Sequence, residues 1–192
     1  MLKYEVLPGF PAYGPIPLPF SAGGAWSGHS EGMVIRFFTN TGEAWFGNSQ
    51  QGSSGCQAVL EHPDGQHLVV VARGQGYIVD PEEPGSVSRL FDNIQHILSL
   101  PERRAILISD GLGFEAINKD GVWWQSGRIS WDEIRNIEIK GAILRGEASK
   151  PALKGNEWFP FTLNLDTGHC ADGIYSKTMQ SAIRVTRSQD RS

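Results

Sequence analysis

The chain has 192 residues, 40% hydrophobic and 20% charged, with nine Phe, six Trp and four Tyr, so it has the material for one well-formed core and is not a disordered polymer. A formal net charge of −4, with no Lys/Arg-rich block before the last few residues, provides no basic field for phosphate, and a nucleic-acid partner is not expected. No run of about 18 apolar residues is present, so no membrane partner is expected either.

The first eight residues, Met1 to Pro8, lack the apolar core of a signal peptide, and a cytoplasmic location is the expectation. Pro8, Pro11, Pro15, Pro17 and Pro19 crowd the next stretch. Proline has no N–H to give to a ladder, so residues 1–20 are expected to form an extended strap over a surface or along an edge, not a central strand.

From about residue 21 to 175 the chain repeats. Val69-Val70-Val71-Ala72-Arg73-Gly74-Gln75-Gly76-Tyr77 aligns without gaps on Ile106-Leu107-Ile108-Ser109-Asp110-Gly111-Leu112-Gly113-Phe114, 37 positions later. The same step leads forward to Ile143-Leu144 and back to Met33-Val34, which keep the apolar run and lose the Gly-x-Gly. The pairs Thr41-Gly42, Asp64-Gly65, Asp120-Gly121 and Thr167-Gly168 punctuate short apolar runs as hairpin turns do. In the best-patterned copy, Gln95–Leu100, Ala105–Ser109, Gly113–Asn118 and Val122–Ser126 are predicted strands. Four strands in roughly 40 residues is the size of a propeller blade. The expected fold is therefore all-β: a small propeller-like array of about four antiparallel four-stranded units, in a single domain over residues 1–175. A β-sandwich or an irregular barrel of the same hairpins is the alternative. Residues 176–192 lose aromatics and gain Lys177, Arg184, Arg187 and Arg191, and are read as a polar tail.

Gly111-Leu112-Gly113-Phe114-Glu115-Ala116 has the letters of a dinucleotide fingerprint, but Asp120-Gly121 turns the chain seven residues after Gly113. No helix fits there to face a pyrophosphate, so the glycines are turn residues and no cofactor is expected. His29, His62, His67, His96 and His169 show none of the close pairings of a metal helix or a Cys-x-x-Cys ribbon, and no metal is expected. His62 and His67 flank Pro63-Asp64-Gly65 as a solvated hairpin would have them. Cys56 and Cys170 are read as free thiols. Neither a Gly-x-Ser-x-Gly elbow nor a P-loop is present.

Aromatic residues carry the more useful signal. Trp123 and Trp124 are adjacent on a predicted strand and so point to opposite faces. Trp26, Trp45, Trp131 and Trp158 sit beside turns, where a large ring seals packed sheets. Trp123 and Trp124, with Arg128, Trp131, Asp132 and Glu133, form a candidate binding surface, since aromatics and Arg dominate binding hot spots.

The phrases Trp45-Phe46-Gly47-Asn48, Arg128-Ile129-Ser130-Trp131-Asp132, Gly146-Glu147-Ala148, Trp158-Phe159-Pro160-Phe161, Leu165-Asp166-Thr167-Gly168 and Gly173-Ile174-Tyr175 run through most of the chain after the strap. In them the sequence resembles a group of short, uncharacterised bacterial proteins. The resemblance implies a shared bacterial cytosolic fold and carries no established activity. At Ser149-Lys150-Pro151 the chain departs from that pattern, as a rebuilt loop before Trp158 would.

With no nucleophile or metal signature beside an aromatic-rich repeat, the expected function is a non-enzymatic binding module, holding a protein or small-molecule ligand in its loops or central opening. The competing expectation is a hydrolase or lyase on a sugar-like substrate, using two carboxylates from among Asp110, Glu115, Asp132, Glu133 and Glu147.

Overall fold

A computed structural model describes residues 3–21, 23 and 29–175; Trp26 and the polar tail at 176–192 lie outside the described residues. The described chain is all-β, with one 3-10 turn at Pro101–Arg103. No helix in it is long and apolar enough to cross a membrane.

Four small sheets follow one another along the sequence. The first holds β1 (Tyr4–Val6), β2 (Leu18–Phe20), β3 (Met33–Phe38) and β4 (Ala44–Ser49) in the order β1-β3-β4-β2. The second holds β5 (Ala58–Glu61), β6 (Leu68–Ala72), β7 (Gln75–Val79) and β8 (Val87–Arg89) as a plain meander. A second meander runs through β9 (His96–Leu100), β10 (Ala105–Ser109), β11 (Gly113–Asn118) and β12 (Gly121–Arg128), and the last sheet through β13 (Ile134–Lys140), β14 (Ile143–Ala152) and β15 (Gly155–Asn164). The four strands expected in the third unit are present within a residue or two of their expected bounds.

The 37-residue period has a physical origin in this topology. Its anchors Met33, Val70, Leu107 and Leu144 fall on β3, β6, β10 and β14, each an interior strand of its sheet. An interior strand that is also covered on both faces demands a continuous apolar run. All five residues of β6 and all five of β10 are buried. Edge strands face no such demand, and the repeat fades there.

Two sheets depart from the expected antiparallel four-stranded unit. The strap supplies both edges of the first: β1 pairs antiparallel with β3, whereas β2 pairs parallel with β4, Leu18 opposite Gly47 and Phe20 opposite Ser49. Pro19 is accommodated because β2 is an edge. The last sheet has three strands, and its β14–β15 ladder extends unbroken from Ile143–Asn164 to Ala152–Gly155. The segment expected as a rebuilt loop at Ser149–Pro151 is therefore paired strand. β13 reaches only Ala148, so beyond it β14 is an edge and Pro151 breaks no second ladder.

The chain divides into two compact units, Met1–Ile106 and Leu107–Ser192, with the division inside β10. In the first unit, alternate residues of each strand share one face, as a period of two requires. Ile35 and Phe37 of β3 with Trp45 of β4 join Leu68 and Val70 of β6 and Tyr77 of β7 in one buried cluster. Phe20 sits among the rings, 6.1 Å from Phe37, Trp45 and Tyr77, while Phe37 and Trp45 stack at 4.5 Å. The polar ends of the aromatics are satisfied: Trp45 Nε1 donates to Pro81 O at 2.9 Å, and the Tyr77 hydroxyl to Gln50 O at 2.9 Å. The Arg73-Gly74 turn between β6 and β7 has φ of 46° and 88°, a pair of positive values that suits the type I′ hairpin and explains the glycine. At the equivalent turn, Asp110 Oδ1 accepts the N–H of Leu112 at 2.9 Å and of Gly113 at 3.3 Å, so Asp110 works as a turn residue. A strand follows it, as the turn reading of Gly111 and Gly113 requires.

In the second unit, Phe114 of β11 and Phe161 of β15 meet at 6.0 Å, and Leu144, Ala148 and Leu163 are fully enclosed. Gly146 is tied to this packing, because a Cβ there would lie 2.8 Å from the Phe161 ring. Opposite it β13 carries a bulge between Arg135 and Glu138, with Asn136 at φ 53°.

Candidate functional site

The second unit holds a pocket of about 530 Å³, within the range usual for small-molecule sites. One wall is the end of β12 and the residue after it, Gln125 to Ile129; the other is the turn after β15, from Thr167 to Gly173, with Tyr175.

Each wall is fixed by local chemistry. Beyond β15, Asn164 Oδ1 accepts the N–H of Asp166 at 2.9 Å and of Thr167 at 3.1 Å. Gly168 N donates to Asn164 O at 2.8 Å and Asn164 N to His169 O at 2.9 Å, which closes the turn back on its strand. Trp124 ties the two walls together. Its Nε1 donates to Leu165 O at 2.9 Å, and its ring fills the space beside Gly168, where a Cβ would come within 2.5 Å.

Arg128 ends β12 and folds back on the turn that follows. Its Nε donates to Ser130 O at 3.0 Å and its Nη2 to Trp131 O at 2.7 Å. The guanidinium lies 5.1 Å from the centre of the Trp131 ring and 5.5 Å from that of Tyr175, a cation held against two aromatic faces. No carboxylate pairs with it among the described residues, and Nη1 makes no hydrogen bond there. The Tyr175 hydroxyl is desolvated and also lacks a hydrogen-bond partner among the described residues.

The turn carrying Trp131 is held by two fully buried serines. Ser130 Oγ donates to Glu133 O at 2.6 Å and accepts from Ser149 N at 3.0 Å; Ser149 Oγ accepts from Glu133 N at 2.8 Å. Trp131 N donates to Ser149 O at 2.9 Å. The Ile-Ser-Trp-Asp phrase is thus a clamp between this turn and β14, and it presents Trp131 at 52% exposure.

Of the six residues expected to form a binding surface, Arg128 lines the pocket and Trp131 packs on Arg128. Trp124 is buried structure beneath it, and Trp123, on the opposite face of β12, is 40% exposed. Asp132 and Glu133 are exposed on the Trp131 turn and are not among the lining residues. Trp158, expected as a packing residue, lies half-buried with the Arg135 guanidinium 3.6 Å from its ring centre. Sequence reasoning missed Tyr175 and the 167–173 turn; Thr167-Gly168 was read as a turn, but nothing local says that it faces Arg128.

The pocket also contains Cys170, His169 and Asp172, the single acid among its described residues. Burial pushes the Cys170 thiol up, and the Asp172 charge adds to this against the lowering from hydrogen bonds with Asp172 and Thr162. Its Sγ donates to Asp172 O at 2.6 Å. A protonated, donating thiol is not an activated nucleophile. Both cysteines are free. Among the candidate acids elsewhere, Glu147 Oε2 accepts from Arg135 Nε at 2.9 Å and Asn136 Nδ2 at 2.7 Å, and these bonds hold its carboxyl below the usual range. Glu115 is bonded to Gln125. Donors suited to a metal come together in the first unit, on the β5–β6 hairpin.

No protein-family model matches the chain, and no curated protein matches it. What the site can do is read from its own chemistry.

Proposed function

We propose that the protein is a non-enzymatic, cytoplasmic binding module whose second unit holds a small ligand bearing a carboxylate or similar oxyanion. The observation that carries this reading is Arg128: a guanidinium with no acid partner among the described residues, held against two rings at a pocket of ligand size. Backbone carbonyls take its Nε–Nη2 edge, and the remaining N–H groups of Nη1 and Nη2 are available to an anion in the planar geometry that carboxylates match. The Tyr175 hydroxyl, without a partner among the described residues, offers a further donor. The lining favours binding over glycoside chemistry, because a paired-acid mechanism needs two carboxyls about 5–9.5 Å apart and, among the described residues, this pocket has one, Asp172.

The test is a thermal-shift and calorimetric screen of small carboxylates, aromatic acids included, against the full chain and two variants. Binding is expected with the native protein, at least tenfold weaker with Arg128→Gln, and partly retained with Arg128→Lys, which keeps charge but not the planar fork. Equal affinity in native protein and Arg128→Gln overturns the reading, as does hydrolytic turnover of a glycoside that depends on Asp172.

A further inference from the structure

We propose that the hairpin joining β5 to β6 is a binding site for one divalent transition-metal ion, with His62, Asp64 and His67 as its ligands. The three side chains each offer one donor atom, and those atoms all lie within 4.8 Å of one another. Both imidazoles turn the same nitrogen inward: His62 Nδ1 is 2.9 Å and His67 Nδ1 2.7 Å from one atom, Asp64 Oδ2.

The backbone builds this convergence before any ion arrives. His62 N donates to His67 O at 2.9 Å, and Gly65 N to His62 O at 2.9 Å, so a tight turn brings the two histidines to the same end of the hairpin. Asp64 is oriented by its other oxygen, since Oδ1 accepts the N–H of Gln66 at 2.8 Å and of His67 at 3.0 Å. That leaves Oδ2 directed at the imidazoles. Hydrogen bonds that fix the far side of a ligating carboxylate are the usual support of a metal site. His62 is buried, and Asp64 and His67 are partly exposed, which gives an anchored floor and an open approach.

Two imidazole nitrogens and one carboxylate oxygen select among metals. The set suits Zn²⁺, Fe²⁺, Co²⁺ or Ni²⁺ and is poor for Mg²⁺ or Ca²⁺, which prefer oxygen ligands throughout. Three protein ligands leave at least one coordination position for water or an exchangeable group. Lys3 approaches this hairpin, where it donates to Gly65 O at 3.0 Å and is 3.7 Å from Glu61. Its charge is thereby shared with an acid outside the triad.

The test uses the untagged full chain after dialysis against a chelator, titrated with Co²⁺ by visible absorption and with Zn²⁺ by calorimetry near neutral pH. One ion per chain is expected, with little response to Mg²⁺ or Ca²⁺. His67→Gln and Asp64→Asn should each weaken binding about tenfold or more, and His169→Gln should leave it unchanged. His67 is the preferred first variant because it is partly exposed; near-UV circular dichroism and an unchanged urea-unfolding midpoint report that the variant is folded. No saturable binding up to roughly 100 μM metal, or equal affinity in native protein, His67→Gln and Asp64→Asn, would show that Asp64 merely bridges two imidazoles and overturns the proposal.

Discussion

Gly127 and Gly168 form a matched pair that isolates how tightly Trp124 joins the two walls of the pocket. Their backbones are nearly identical in φ, +69° and +70°. Around Gly127 nothing lies within 4 Å of the place a Cβ would occupy, whereas at Gly168 that place is 2.5 and 2.9 Å from two atoms of the Trp124 ring. Alanine in the left-handed region costs roughly 1–2 kcal/mol, offset by about 0.4–1 kcal/mol from the stiffer unfolded chain. Gly127→Ala should therefore lose about 0.5–1.5 kcal/mol. Gly168→Ala carries the same backbone cost and adds about 1–3 kcal/mol for forcing an extra methyl into packed structure. Because the ring is tethered through Nε1 to Leu165 O, it cannot retreat without stretching a bond worth about 1 kcal/mol. A gap near 2 kcal/mol between the variants corresponds to a Tm difference of about 4–8 °C in a chain of this size. Urea unfolding followed by tryptophan fluorescence, with a parallel thermal scan, reads it directly. Equal destabilisation of the two variants would refute the claim that Trp124 packs against this turn.

Other outcomes follow from the same geometry. Ser130→Ala strips a buried hydroxyl from the clamp that holds the Trp131 turn and should cost about 1–3 kcal/mol, with ligand affinity at Arg128 falling in step; calorimetry and denaturant melts on one preparation check both. Burial pushes Tyr77 up to about 12, with the Arg89 charge opposing and the Asp92 charge assisting. A raised phenol pKa gives stability that is complete below the ordinary value near 10 and is lost as pH climbs from there to about 12. The loss has an upper bound of ~2.7 kcal/mol, reduced by whatever solvent screening reaches the hydroxyl; an alkaline melt series in which Tyr77→Phe shows the same decline would contradict it. Phe37→Ala should cost about 3–5 kcal/mol, because the ring is fully buried and stacked on Trp45; a loss under about 1 kcal/mol in urea melts would mean that the first-unit core is not packed as described.

The parts of the fold that were legible in the sequence are those written locally. Strands β9 to β12 could be read because β-branched runs and Asp-Gly or Gly-x-Gly turns mark their ends. The parallel pairing of β2 with β4 could not, since a three-residue segment containing Pro19 does not declare its neighbour. The strand at Ser149–Pro151 reads as a loop in the sequence because it departs from the pattern of the resembled group; a proline is tolerated in it because β13 does not reach that far. At the pocket, Arg128 and Trp131 were legible as a cluster of nearby residues. Tyr175 was not, because its approach to Arg128 depends on β12 and the turn after β15 coming together across some 40 residues of sequence. The His62, Asp64 and His67 spacing matches no helical or ribbon metal pattern; the Asx turn at Asp64 brings the third residue round.

The placement of β1 and β2 on opposite rims of the β3–β4 hairpin has a consequence for anyone dissecting the protein. Those few residues occupy both open rows of amides and carbonyls on a sheet rich in Val, Ile and Phe. A chain begun after Phe20 would keep the hairpin but leave two sticky borders, each a template for a strand from another copy. Its failure would show as self-association that grows with concentration, well before any loss of secondary structure.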